Sequence, residues 1–253
     1  MYDVSTRKRA LALVEQGRSL NSVSRETGIS RSAIRSWQRR LEPVPRMAPQ
    51  PPPGPPADRD SYSYLLGLYL GDGCISPGPR GTGHYLRIAC DDKWPGLVAA
   101  CEAAVRAISP ARTAHRVQAD GCVSVVGYYP HWPVLFPQHG PGKKHERVIV
   151  LQDWQQEIVD AHPWEFVRGL IHSDGCRIIN WTTRVVAGER KRYEYPRYFF
   201  TNVSGDIRRL YTDTLDRLGV TWTHCTRHGN AYNISVARRA DVALMDAHVG
   251  PKY

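Results

Sequence analysis

Two ten-residue segments that lie 102 residues apart share one pattern, and this repeat constrains the fold more than any other feature of the chain. They read Tyr64-Leu-Leu-Gly-Leu-Tyr-Leu-Gly-Asp-Gly73 and Phe166-Val-Arg-Gly-Leu-Ile-His-Ser-Asp-Gly175. Each copy predicts a helix that ends at its glycine and carries two small residues, four positions apart, on one face. Such faces let two helix backbones approach closely, so we expect the two helices to pack against each other.

The sequence after each copy predicts the same succession of elements: strand, strand, helix, strand, strand. The predicted elements are 74–76, 84–90, 94–108, 113–118 and 122–128 in the first half, and 176–184, 195–203, 206–218, 221–227 and 231–236 in the second. The ends of the halves are also alike, since both contain glycine and proline followed by lysine. The predicted fold class is therefore α+β, with two pseudo-symmetric αββαββα halves.

The last acidic residue of each repeat is the candidate for chemistry. Packing of the two helices would bring Asp72 and Asp174 together at two helix C-termini, where the helix dipole disfavours negative charge. A single Asp-Gly pair at a helix end is usually only a turn, but its repetition in two matched halves favours function. A divalent cation would stabilise the paired carboxylates, and hard oxygen ligands suit Mg²⁺.

The paired motifs resemble those of the LAGLIDADG homing endonucleases, in the single-chain form with two halves, over residues 60–253. The resemblance implies a saddle whose two sheets lie on the DNA major groove, with Asp72 and Asp174 each binding Mg²⁺, or Mn²⁺, near one scissile phosphate. It implies that the carbonyls of Gly71 and Ser173 are further metal ligands. It also implies that Lys144 and Lys252 hold phosphate and water, with Lys143 an alternative to Lys144.

Two departures from the family pattern concern the surroundings of these residues. The sixth motif position, often acidic in the family, is Leu70 in the first copy and His172 in the second. The second half also ends directly after its lysine, so we expect no supporting C-terminal helix and a mobile Lys252.

Basic and amide side chains on the predicted strands are candidates for DNA contacts. Only the concave face of each sheet would touch bases, and strand side chains alternate, so we expect about half of them to face elsewhere. The cluster 190–192 is placed in a hairpin turn, from which it could reach phosphates whichever face is buried. The candidates are Arg80, Arg87, Arg116 and Gln118 in the first half, and Arg184, Arg190, Lys191, Arg192, Arg197, Arg227 and Asn233 in the second.

Residues 1–41 predict a separate all-α domain of three short helices, the first capped by Ser5. A resemblance to the helix-turn-helix of transposases and resolvases lies in the order of Val23, Thr27, Gly28, Ile29, Ile34 and Trp37. The third helix would present Arg31, Arg35, Gln38 and Arg39 to a major groove. The segment carries nine basic and three acidic residues, a net charge of +6 out of the +10 of the whole chain. A solvated basic face on a protein-binding bundle is the alternative.

Residues 42–57 predict a polyproline II linker, because eight of these sixteen residues are proline. Its reach is about 50 Å. The predicted domains are thus residues 1–41 as a helix-turn-helix, 42–57 as a linker, and 58–152 and 153–253 as the two LAGLIDADG-like halves.

Charge and hydropathy limit the classes of function. With 34 Lys and Arg against 24 Asp and Glu, a polyanionic partner is favoured. The sequence has no apolar run long enough for a bilayer, no secretory signal and no CxxC pair among its six cysteines. We therefore expect a cytoplasmic, nucleoid-associated monomer that binds double-stranded DNA, with no membrane contact and no obligate protein partner. Three functions stay open: a Mg²⁺-dependent site-specific endonuclease, a transcriptional regulator that uses the same fold, and an RNA maturase.

Overall fold

The computed structural model describes residues 2–42, 53–78, 83–109, 113–227 and 230–253, without the side chains of residues 227, 230 and 231. The chain divides into two compact units, residues 1–51 and 52–253. Most of the predicted proline linker lies outside the described residues, as does Arg80.

The smaller unit contains three helices: α1 (Val4–Glu15), α2 (Leu20–Thr27) and α3 (Arg31–Arg39). Its core is apolar and includes Val23, Ile34 and Trp37. Asp3, and not Ser5, caps α1, because the Asp3 carboxylate accepts hydrogen bonds from both the Thr6 amide and the Ser5 hydroxyl. A carboxylate also suits the positive end of the helix dipole better than a hydroxyl does.

The larger unit begins with a half of mixed helices and strands. Its strands form one antiparallel sheet in the order β1-β2-β4-β3. The elements are α4 (Arg59–Asp72), β1 (Gly73–Pro77), β2 (His84–Asp91), α5 (Pro95–Ile108), β3 (His115–Ala119), β4 (Cys122–Tyr129) and the short α6 (Trp132–Leu135). A 3₁₀ turn (Lys144–Glu146) and α7 (Asp153–Ala161) lead to the second half.

The second half repeats this order, with an antiparallel sheet β5-β6-β8-β7. Its elements are α8 (Pro163–Asp174), β5 (Gly175–Val186), β6 (Glu189–Thr201), α9 (Gly205–Arg217), β7 (Thr223–Arg227), β8 (Asn230–Val236) and α10 (Arg239–His248). The predicted α+β fold of two similar halves is confirmed. The helix that closes each predicted αββαββα half is present in the second half, where α10 buries Val242 and Met245.

Helices α4 and α8 pack against each other through the small residues of the repeat. A Cβ atom on Gly67 would lie 2.6 Å from the carbonyl oxygen of Phe166, and one on Gly169 would overlap the carbonyl oxygen of Tyr64. Further along, a Cβ atom on Gly71 would overlap the Ser173 side chain. Glycine at these positions thus permits the backbone contact that brings both motif ends together, as the spacing predicted.

The two halves differ most in their first hairpin. Strands β5 and β6 have 12 and 13 residues, against 5 and 8 in β1 and β2. Strand β6 pairs with β8 only over Tyr198–Thr201. Residues 178–197 therefore form a two-stranded extension, which we call the ribbon. Its turn uses Ala187 and Gly188, both with positive φ.

Candidate functional site

The two motif carboxylates lie at the same end of the α4–α8 pair. Asp72 is the last residue of α4 and Asp174 the last residue of α8. A Cβ atom on Gly71 would be 3.1 Å from the Asp174 carboxylate oxygen Oδ2. The Asp72 side chain is exposed, whereas Asp174 is half-buried. The helix contact therefore gathers two acidic groups where water and a ligand can reach them.

Both carboxyl groups are shifted toward the protonated form. Desolvation raises the pKa of Asp72 to about 6, and the negative charge of Asp174 adds to the shift. Burial also raises the pKa of Asp174, although a hydrogen bond from Asn202 acts in the opposite direction. Solvent screening moderates the effect at the exposed Asp72. The pair thus concentrates negative charge that a cation would stabilise.

One lysine is placed at the end of each motif helix. Lys144 Nζ donates hydrogen bonds to the carbonyl oxygens of Tyr69 and Gly71, both at 2.6 Å. Lys252 Nζ donates to the carbonyl oxygen of Ser173 at 2.8 Å. Burial lowers the pKa of Lys144 to about 8 and also lowers that of Lys252, while the two aspartates counteract both shifts. Two ammonium groups therefore sit at the negative ends of the helix dipoles.

The structure distinguishes between the lysines that the sequence offered. Lys143 is exposed and lies 3.7 Å from Glu146, so Lys144 is the one at the site. The expected mobility of Lys252 is wrong, because the Leu97 amide donates a 3.0 Å hydrogen bond to the carbonyl oxygen of Tyr253. The residue after the lysine is thereby attached to α5 of the other half.

Asn202 belongs to the site, although sequence reasoning did not identify it. Its Nδ2 donates a 2.5 Å hydrogen bond to Oδ2 of Asp174, and its Oδ1 accepts one from the Ser204 amide. An open pocket of about 260 Å³ lies beside Asp174 and is lined in part by Lys144, His145 and Asn202. The only available signal was the position of Asn202 near the end of the predicted strand 195–203.

The first half has no matching amide. Asn202 lies two residues after Phe200, which pairs with Gly175, and the residue in that position relative to the Gly73–Ile88 pair is Cys90. Cys90 is a buried thiol next to Cys101. Among the described residues, no hydrogen-bond partner of the Asp72 carboxylate is found. The two carboxylates are therefore held differently.

The donor groups present fit a hard divalent cation. Two carboxylates and the carbonyls of Gly71 and Ser173 offer oxygen atoms only, and each carbonyl retains a lone pair beside its lysine hydrogen bond. Within the described ranges, no group of three or more His, Cys, Asp or Glu side chains could hold a metal ion. Such an ion would therefore need phosphate or water oxygens to complete its coordination.

In the first sheet, the strand register places the candidates for DNA contact on two different faces. Arg87 lies on the face that the helices leave uncovered, which we call the outward face, and its guanidinium group is 5.2 Å from the Tyr85 ring centroid. Arg116 and Gln118 pair directly with the buried Val125 and Val123, so they lie on the helix-covered face. Arg116 accordingly donates to Glu102 of α5 at 2.8 Å. Arg116 and Gln118 are therefore among the candidates that face away from the outward side, as was expected for about half of them.

The second sheet presents most of its candidates outward. Arg184 and Lys191 pair with each other on the outward face of the ribbon, and Arg197 lies there between Tyr195 and Phe199. Asn233, which pairs with Thr201, is outward as well. The side chain of Arg227 lies outside the described set.

The basic cluster at the ribbon end is split between two faces. Arg190, Lys191 and Arg192 are all exposed and belong to β6, not to the turn as predicted. Alternation along the strand sends Lys191 outward and its two neighbours to the opposite face. There Arg192 lies over the Trp181 ring, 5.0 Å from its centroid.

In the smaller unit, α3 exposes the four predicted side chains. Arg31, Arg35, Gln38 and Arg39 are all exposed, while Ile34 and Trp37 face the core. Arg31 donates to the Asn21 side chain at 2.9 Å. The helix thus presents a basic surface on the side opposite its apolar face.

Comparisons with known proteins find likeness in structure only. No family model matches the sequence, and no curated protein matches it. A mesophilic variant of the homing endonuclease I-DmoI has a TM-score of 0.48 at 17% identity, covering 76% of this chain and 89% of that chain. The homing endonuclease I-WcaI bound to its DNA recognition sequence has a TM-score of 0.48 at 12% identity, covering 78% and 83%.

A third similar structure is the N-terminal LAGLIDADG domain of WhiA, with a TM-score of 0.45 at 12% identity, covering 79% of this chain and 87% of that chain. At these values the comparisons assign no activity to this chain. Separately, the helices within the described ranges include none that is long and apolar enough to cross a membrane.

Proposed function

We propose that the chain is a site-specific double-strand DNA endonuclease that depends on Mg²⁺ or Mn²⁺. The observation that carries this proposal is the repeated site: two carboxylates at adjoining helix ends, each half with a lysine bonded to the carbonyl beside its aspartate. A structural turn would need no charge at either position. Two half-buried ammonium groups and two carboxylates with raised pKa are instead what a cation-dependent phosphodiester site requires.

In this proposal each aspartate serves one DNA strand. When bound, the metal would stabilise the charge that develops on the attacked phosphate and on the leaving oxygen. Asp72 and Asp174 would hold the metal from the protein side. Lys144 and Lys252 would orient a phosphate oxygen or the attacking water, since their positive charges lie at the ends of the same two helices.

The outward face of both sheets would bind the duplex. It carries Arg87, Arg184, Lys191, Arg197 and Asn233, a mixture of charged groups for phosphates and an amide for base edges. Because both halves belong to one chain, a monomer would contain one site per strand. We also propose that α3 adds a second DNA contact and that the protein associates with the nucleoid.

The decisive experiment selects DNA sites by binding in Ca²⁺ and then adds Mg²⁺ or Mn²⁺ to the purified complexes. We expect specific binding in Ca²⁺ and cleavage of both strands after the exchange. Tight specific binding without any cut strand at any metal concentration would instead support the transcriptional regulator. Selection of RNA over DNA would support the maturase.

Deletion of residues 1–57 tests the contribution of the smaller unit. The deleted variant should bind DNA more weakly and with a flatter salt dependence, because it loses the net charge of +6 carried by residues 1–41. Metal-dependent cutting should persist at high protein concentration, since both aspartates remain. An unchanged affinity and salt slope would mean that the unit binds another partner.

A further inference from the structure

The two lysines of the site lie on segments that cross from one half to the other. We call residues 139–152 the first strap and residues 249–253 the second strap. In the first, the Ile149 amide donates a 3.0 Å hydrogen bond to Oδ2 of Asp206 in α9. In the second, the carbonyl oxygen of Tyr253 accepts a 3.0 Å hydrogen bond from the Leu97 amide in α5. Each strap therefore ends on the opposite half.

Both straps reach the same structural position. Asp206 is the second residue of α9, and Leu97 is the third residue of α5, so each attachment uses the N-terminal turn of the helix that follows the first hairpin. The two bonds run in opposite directions. The first strap donates to the Asp206 carboxylate of α9, whereas the second strap accepts from the Leu97 amide of α5. The Tyr253 ring also lies so close to Gly96 that a Cβ atom there would overlap it.

These attachments affect where the two ammonium groups lie, because a lysine side chain has four rotatable bonds and is flexible by itself. Its ammonium group stays on one carbonyl only if its own backbone is fixed. Neither Lys144 nor Lys252 lies in an α-helix or a strand. Each strap is attached near its lysine, since Ile149 follows Lys144 by five residues and Tyr253 follows Lys252 directly.

We propose that Asp206 is a positioning residue for Lys144, and that the N-terminus of α5, through Gly96 and Leu97, is the positioning element for Lys252. The effect of this positioning on DNA cutting rests on the proposed nuclease function. Each half would then complete the lysine site of the other, so that cutting of one strand depends on a helix from the opposite half.

A stability cycle in chelator, without DNA, tests the positioning itself. If Asp206 positions Lys144, the change in Tm caused by Lys144→Met should shrink by roughly half in the Asp206→Ala background. Lys252→Met should behave in the same way in the Gly96→Ala background. The crossed pairs are the controls: Asp206→Ala with Lys252→Met, and Gly96→Ala with Lys144→Met, should be additive. Additivity in the matched pairs would overturn the proposal.

Two features make this cycle selective. Alanine favours the helix over glycine, so Gly96→Ala does not weaken α5 by itself. Asp206→Asn keeps an oxygen that can accept from the Ile149 amide, and should therefore restore most of the coupling that Asp206→Ala removes. Loss of coupling in Asp206→Asn as well would show that the charge at the helix end, and not the strap bond, is responsible.

Strand-resolved cleavage links the positioning to the reaction. Lys144→Met should still cut one strand, and Asp206→Ala should accumulate DNA nicked in that same strand. Gly96→Ala should likewise accumulate DNA nicked in the strand that Lys252→Met still cuts. If these variants lose the cutting of both strands equally, while the matched pairs remain coupled in the stability cycle, the straps have a structural role only. If the parent protein cuts no DNA, the nuclease proposal fails, while the stability cycle still decides whether the straps position the lysines.

Discussion

The first and second halves of the larger unit have the same order of elements but support their aspartates differently. Asp174 is half-buried and held by the Asn202 amide, whereas Asp72 is exposed and has the thiol of Cys90 at the matching position. The backbone symmetry places two carboxylates side by side, and the side chains around them break that symmetry. A repeat in sequence therefore does not imply two sites of equal strength.

The two sheets also differ, in the length of their outer strands. The ribbon extends the second sheet by many residues beyond the part that α9 and α10 cover, while the first sheet has short outer strands. The second half thus offers the longer outward surface for a duplex. Each of the following predictions would either establish or remove one of these differences.

The largest effect is expected from neutralising either aspartate. Asp72→Asn and Asp174→Asn should each lower double-strand cutting about 100-fold or more, leaving at most nicked product, because each removes a charged metal ligand. Both variants should be at least as stable as the parent in chelator, since carboxylate repulsion is relieved. The measurements are strand-resolved cleavage and Tm on the same preparations. Lower stability combined with full cutting would refute the site.

Asn202 provides the direct test of asymmetry. Asn202→Ala should lower the rate of cutting of the strand that depends on Asp174 by about 10- to 100-fold, as loss of a group that orients a metal ligand does. The strand that depends on Asp72 is the internal control and should change little. Asn202→Asp keeps the oxygen that accepts from Ser204 but cannot donate, so it should be slower still. Equal slowing of both strands would mean that the halves are not independently supported.

The ribbon permits a comparison of its two faces with the same number of charges removed. The outward double variant Arg184→Ala/Lys191→Ala should weaken DNA binding about 10-fold and reduce the slope of log affinity against log salt by about 2. The opposite-face double variant Arg190→Ala/Arg192→Ala should change that slope by less than about 1. Equal slopes for both variants would show that the ribbon contacts DNA through its tip without a preferred face.

The sequence predicted the fold well because its strongest signal was local and repeated. Small residues four apart on two helices predicted the Gly67–Gly169 contact, and alternating strands predicted both sheets. The sequence could not decide which strand candidates face outward: Arg116 and Gln118 lie on the helix-covered face, and β3 is short and lacks the apolar alternation that would have shown this. Asn202 and Asp206 were missed because they act through contacts distant in sequence.

The smallest predicted effect concerns the pH dependence of stability and again separates the halves. Because the pKa of Asp72 is raised in the folded state to about 6, its contribution to stability is complete below the unfolded pKa and is lost as pH rises through the folded one. In chelator, the Tm of the parent relative to Asp72→Asn should therefore fall by about 2 °C between pH 5 and pH 7. The corresponding difference for Asp174→Asn should be smaller, because the hydrogen bond from Asn202 opposes the rise in the pKa of Asp174. Mg²⁺ at pH 7 should restore the lost Tm in the parent and less so in either variant. Differences of equal size for both aspartates would show that their surroundings are electrostatically equivalent, despite the amide on one side only.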